Sequence, residues 1–241
     1  MAKRASSKAS VGVRTQTRLR EVPMPPAASP KKEAPNGRRS GKGERTRERL
    51  LEAAKEVFEE HGFLNARIDD IVARAEQSHG VFYYYFDSKE EVFRAIVAAL
   101  DERLFAPLDD VLLAESRLGR GQRIREASRR YLEYYRREAR MIDLIEQVSR
   151  YDPEVNALRL THHKHNTERV AESIRQQQLQ GIADPDLDPV LVATALGALT
   201  HRFAELWFVH RVVHCTFEQG VEQLSRIYEN ALRAPPPKKS R

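Results

Sequence analysis

IDDIVARAEQSHGVFYYYF, residues 68–86, decides how this chain is read. Ile68, Ile71, Val72 and Ala75 recur at the spacing of one helix face, which predicts a short helix over 67–75. A three-residue break follows, after which Ser78 is placed to cap a second short helix ending near Tyr85. Val81, Phe82 and Phe86 can anchor that helix to its own domain. His79, Gly80, Tyr83, Tyr84 and Tyr85 are left for its outer surface. Three consecutive aromatics turning by about 100° per residue cannot share one face, so at least one of them is exposed.

The flanking residues extend the same pattern. Leu50, Ala54, Val57 and Phe58 predict a helix over 44–61, stopped by Gly62. Ser88 and Glu91 have capping-box spacing and open a fourth helix carrying Val92, Ile96 and Leu100, which Pro107 ends or kinks. Two short helices joined by a tight turn have the geometry of a DNA-reading element. The first helix braces while the N-terminal end of the second enters the major groove. Tyrosine hydroxyls at such a surface suit phosphate oxygens, and Lys89 adds positive charge.

Helical signals continue downstream over 122–137 and 139–150. Asp152-Pro153 and Asp188-Pro189 each read as an N-cap followed by proline at the first helical position. They open helices running to Gln180 and to about Val212. Thr216 and Gln219 repeat the capping-box spacing ahead of a last helix to about Leu232. With some nine or ten helices and no strand pattern, the chain reads as all-α. It divides into a basic, disordered arm (1–43), a helix-turn-helix domain (44–90), a helical effector-binding and dimerisation domain (91–233) and a disordered tail (234–241).

Bulk charge does not argue for nucleic acid. Residues 1–43 hold eleven Lys and Arg against two Glu, a balance of +9, so the rest of this +6 chain carries −3. That arm has almost no large apolar residue and cannot offset its ordering entropy. Its Arg38, Arg39 and Lys42, with Arg45, Arg47 and Arg49 of the first helix, could reach phosphates or a minor groove. No run of about 18 apolar residues predicts a membrane span, and no apolar signal segment follows the basic start. The single cysteine, Cys215, excludes an internal disulfide framework and fits a reducing cytoplasm.

The stretch GFLNARIDDIVARAEQSHGVFYYYFDSKEEVF, residues 62–93, resembles the N-terminal domain of the tetracycline-repressor (TetR) family, most specifically in SHGVFYYYF followed by Ser88-Lys89-Glu90. The resemblance implies a transcriptional regulator with an N-terminal three-helix DNA-binding domain and a C-terminal helical domain. It assigns phosphate contacts to Arg67, Tyr83, Tyr85 and Lys89 and base reading to His79 and Gly80, with Tyr84 touching either. Glu76 and Gln77 depart from the family's usual glycine and small apolar residue in the turn. A non-glycine residue there carries a left-handed backbone cost.

The resemblance also implies double-stranded operator DNA, a second copy of the chain and a small-molecule effector as partners. An interface is expected from Leu196, Leu199, Phe203 and Leu206 with Phe217, Val221, Leu224 and Ile227 of the last helix, as two apolar helices suit a four-helix dimer contact. An apolar or aromatic effector is expected among Leu104, Phe105, Tyr131, Tyr134, Tyr135, Met141, Leu144, Ile145, Phe203 and Trp207. No cofactor is expected. His162, His163 and His165, and His210 with His214, have spacings that can hold zinc but lack evident further ligands, so no metal is assigned. A helical enzyme using the His162/His165 cluster is the rival reading. It has no His-Glu-x-x-His, phosphate-cradling loop or nucleophile elbow behind it.

Overall fold

The computed structural model describes residues 41–112 and 119–233. The arm over 1–40 and the tail over 234–241 lie outside the described residues. Eight helices follow one another in the described part: α1 (Gly41–Asn65), α2 (Ile68–Arg74), α3 (His79–Tyr85), α4 (Lys89–Leu112), α5 (Arg120–Ser149), α6 (Pro153–Leu179), α7 (Pro189–Phe208) and α8 (Phe217–Ala231). No strand occurs among the described residues; a single bridge pairs Ala183 with Arg233. None of the described helices is long and apolar enough to cross a membrane.

The start signals act where the sequence puts them. Ser78 Oγ accepts the Val81 amide, and Asp152 and Asp188 each accept the two amides that follow their prolines. Thr216 and Gln219 form a complete reciprocal capping box. The stops differ more. Gly62 adopts φ 74° and kinks α1 instead of ending it, so the helix resumes to Asn65. The backbone stays helical past Pro107, because one missing amide removes one ladder bond and need not break the flanking turns. The expected break near residue 138 is absent. The segment between Gln122 and Ser149 holds neither Gly nor Pro, so nothing in it stops propagation. At the other end, α1 begins at Gly41, three residues into the expected arm.

The core of the first three helices is built from Leu50, Val57 and Phe58 of α1, Ile71 of α2, Phe82 of α3 and Phe93 of α4, all fully buried. Phe58 and Phe63 each meet Phe93 edge-on, with centroids 5.2 and 4.8 Å apart. The same core continues without a gap into Tyr134, Met141 and Val148 of α5 and Val155 of α6. Helix α4 therefore belongs to both halves. Two ion pairs cross the same seam: Lys55 to Glu138 at 2.5 Å and Arg94 to Glu154 at 2.7 Å. Separate apolar clusters join α5 to α7 and α8 and join α6 to α7.

Candidate nucleic-acid interface

The turn between α2 and α3 is a Schellman closure. Gln77 N–H donates to Val72 O at 2.9 Å and Glu76 N–H to Ala73 O at 3.2 Å. Glu76 takes the left-handed position, with φ 52°. Its carboxylate pairs with Arg49 at 3.2 Å, both side chains being well exposed. An exposed pair of this kind contributes little, whereas a left-handed non-glycine residue costs about 1–2 kcal/mol. Glu76→Gly is therefore expected to raise unfolding stability by about 0.5–1 kcal/mol, read as a higher melting temperature. An unchanged or lower value would mean that the Arg49 pair matters more than the strain.

Within α3, Phe82 is fully buried and the cap residue Phe86 nearly so, while Val81 is half-buried. Tyr84 and Tyr83 stand out, 73 % and 52 % exposed. Tyr85 does not share that surface. It is half-buried, and its hydroxyl donates to Gly43 O at 3.0 Å, tying α3 to the first turn of α1. His79 opens the exposed face and meets Asp69 of α2 at 2.6 Å. Gly80, next in line, is exposed. A β-carbon there would meet only Ser78 Oγ, at 3.8 Å, so the backbone can be approached closely.

Cations flank this face. Arg45 and Arg47 are exposed on α1, and the Arg47 guanidinium lies over the Phe86 ring at 5.3 Å. Arg67 is exposed at the start of α2, where its side chain makes no capping bond. Lys89 is a different case. Its ammonium donates to Phe63 O, Leu64 O and Ala66 O at 2.9, 3.2 and 3.0 Å and lies 5.0 Å from the Phe63 ring. Three donors are engaged by three carbonyls at the end of α1. The outward, phosphate-facing ammonium expected from the sequence is thus turned inward, because the end of α1 at Asn65 leaves those carbonyls without helical partners.

The C-terminal half encloses a cavity of about 430 Å³ between α4, α5, α6 and α7. Of the residues named for an effector, Leu104, Tyr131, Tyr134, Tyr135 and Ile145 line it. Met141 and Leu144 pack into the first core instead, and Phe203 and Trp207 into the α5–α7–α8 cluster, where Trp207 stacks on Phe208 at 4.5 Å. The side chain of Phe105 lies outside the described residues. The cavity also holds polar residues that sequence reasoning missed: Glu146, Arg159, His163, Asn166, Thr167 and His201. Arg159 Nη1 donates to Glu146 Oε1 at 3.1 Å, with His201 Nε2 3.7 Å from the same oxygen. They come from three helices, and no local spacing could have joined them.

The family model for bacterial regulatory proteins of the tetR family matches residues 50–96, from within α1 through α2 and α3 into α4. The HTH-type transcriptional regulator UidR of Escherichia coli (strain K12) is 27 % identical over 184 residues, 74 % of this chain and 90 % of that protein. Together these matches support a TetR-family transcriptional regulator whose family-specific DNA-binding domain spans residues 50–96. A shorter match, 39 % over 61 residues, covers 25 % of the chain and 29 % of the HTH-type transcriptional repressor NicS of Pseudomonas putida. Among solved structures, Salmonella enterica GusR shares the fold at a TM-score of 0.66 and 20 % identity, over 78 % of this chain and 95 % of that one. TetR-family regulators bind DNA and are not enzymes, so the rival enzymatic reading is set aside.

The apolar residues expected to pair two copies of this chain separate into two sets. Leu196, Val221 and Leu224 are buried within the chain and pack its own helices. Leu199 and Ile227 are 40 % and 44 % exposed, and Phe203, Leu206 and Phe217 are half-covered. The histidine groupings also disperse: His163 lies on the cavity rim, His165 faces outward, and His210 pairs with Glu205 at 3.2 Å. Among the described residues no three His, Cys, Asp or Glu side chains gather as metal ligands would.

Burial holds His201 below its ordinary value of 6.5, against the opposing pull of Glu146 and Glu205. The unfolded chain therefore binds this proton more readily than the folded one. Stability is complete above about pH 6.5 and drains as pH falls from there through the lowered value. The melting temperature is expected to drop over that range, with His201→Gln flattening the drop. An identical pH profile in the variant would place the dependence elsewhere.

Proposed function

We propose that this TetR-family regulator is a repressor that binds a palindromic operator as a homodimer and leaves it when a small, largely apolar effector fills the cavity. The observation that carries this reading is the double membership of α4. At its first residue, Lys89 grips the end of α1, next to α2 and the recognition helix. About three and four turns on, Leu100 and Leu104 form cavity wall, and the Leu100 carbonyl accepts the Tyr134 hydroxyl at 2.7 Å. A ligand that shifts α4 against α5 and α6 changes the separation of the two recognition helices, lowering operator affinity by its differential affinity for the two arrangements.

On the DNA side, His79, Gly80 and Tyr84 read bases, with Tyr83, Arg45, Arg47 and Arg67 on or near the phosphates. Tyr85 and Lys89 hold the recognition helix and α1 in place. The arm over 1–43 adds non-specific phosphate contacts, and the protein acts in the cytoplasm. The dimer face uses the outward side of α7 and α8, centred on Leu199 and Ile227. The match to NicS, named as a repressor, supports the sign of the regulation.

Sedimentation and footprinting of the full chain on a duplex from its own upstream region test this. The expected result is a dimer protecting two half-sites about one helical turn apart. The double variant Leu199→Asp, Ile227→Asp is expected to sediment as a monomer and lose about 100-fold or more in operator affinity. A monomer bound to a single site, or a double variant that stays dimeric, would overturn the assembly.

A further inference from the structure

The cavity is sorted along its length. Ile124 of α5, Val170 of α6 and Ala193 of α7 lie toward one end; Glu146, Arg159 and His201 lie three to six turns further along α5 or back along α6, and two turns further along α7, at the other. Neighbouring helices run antiparallel, so the charged groups gather at one end, while the remaining wall is mostly apolar, with the hydroxyls of Ser128, Thr167 and Thr200 and the Asn166 amide along it. Such a wall fits a molecule with an apolar body and one polar head.

Among the described residues, two buried groups at the polar end have no hydrogen-bond partner: Arg159 Nε and the Tyr135 hydroxyl. A guanidinium Nε–H can only donate, and a phenol can. Burial raises the Tyr135 pKa, which keeps its proton in place as a donor. Leaving such donors unpaired is costly, and each is satisfied only if the occupant brings an acceptor. Glu146 is already engaged: its Oε1 takes Arg159 Nη1 and lies near His201. A cationic head would stand beside Arg159, compete with it for Glu146 and leave Nε unpaired. A carboxylate meets the free edge of Arg159 and the Tyr135 hydroxyl together, with charge-assisted bonds.

We propose that the occupant is a singly anionic amphiphile, with its carboxylate head between Arg159 and Tyr135 and its apolar body along the α4–α5 wall. This rests on the reading of the cavity as the effector site. His163, at the exposed rim of the cavity, adds a further donor near the head. Medium-length aliphatic acids and aryl-alkanoic acids are the chemical class that fits.

Titration calorimetry of the full chain with 4-phenylbutyrate, 4-phenylbutanol and 4-phenylbutylamine, which share a body and differ in the head, tests this. The carboxylate is expected to bind about tenfold or more tightly than the alcohol, with the amine weakest. Arg159→Gln is expected to remove that preference and leave alcohol affinity within about twofold, its melting curve checking the fold. If that variant does not fold, Tyr135→Phe must narrow the gap between carboxylate and alcohol. Equal binding of all three, or an amine as tight as the carboxylate, overturns the head-group assignment and leaves the effector cavity standing. No binding by any of the three overturns the cavity reading and this inference with it.

Discussion

Gly80→Asp is expected to abolish operator binding, by about 100-fold or more, while leaving the protein at least as stable as before. The position is exposed in the first turn of α3, and a side chain there meets only Ser78 Oγ at ordinary contact distance. Nothing in the folded chain opposes the change. Aspartate is the slightly better helix former, and a carboxylate near a helix N-terminus gains about 0.3–1 kcal/mol from the aligned peptide dipoles. In the proposed complex the same carboxylate faces base edges and phosphates, a like-charge, desolvated position that costs several kcal/mol for each copy in contact. Thermal melting beside an operator titration separates the two effects. Unimpaired binding would mean that the start of α3 does not enter the groove.

Lys89→Met carries the second large effect, of the opposite kind. The substitution keeps an unbranched stem near Phe63 and removes three donors from the carbonyls that end α1. Hydrogen bonds from a charged donor contribute about 1.5–3 kcal/mol, and these carbonyls have no other described partner, so a loss of about 2–3 kcal/mol is expected. Operator affinity falls with it, because α1 and α4 together hold α2 and α3. The salt dependence distinguishes this from a phosphate contact. A lysine that neutralises a phosphate lowers the slope of log K against log salt by about one when removed. Here the slope is expected to stay unchanged. A lowered slope with an unchanged melting temperature would return Lys89 to the DNA surface.

The recognition element was legible because its signals are local. Ser78 lies three residues before the amide it caps, the apolar anchors recur at helical spacing, and the departure from the family's usual turn glycine pointed to the left-handed backbone found at Glu76. Tyr85 and Lys89 were misdirected because their partners, Gly43 and Phe63 with its neighbours, lie 42 and about two dozen positions away. Periodicity reports which residues share a face and not what covers it. Leu196 and Leu199 fall on the same apolar stripe, yet one packs α6 and the other faces out. The aromatic side of the cavity could be guessed from composition. Its polar end could not, since Glu146, Arg159 and His201 meet only through the packing of α5, α6 and α7.

In the proposed complex, the exposed face of α3 reads sequence while the surrounding arginines supply affinity. The most direct test measures binding of the full chain to its own operator and to a scrambled duplex across a range of salt, with the wild type, Tyr84→Ala and the pair Arg45→Ala, Arg47→Ala. The wild type is predicted to prefer the operator by about 1,000-fold or more. The arginine pair should weaken both duplexes alike and lower the salt slope by about one per lost phosphate contact, while Tyr84→Ala should weaken the operator far more than the scrambled duplex. Equal affinity for both duplexes in the wild type, or an operator preference indifferent to Tyr84, would contradict the account.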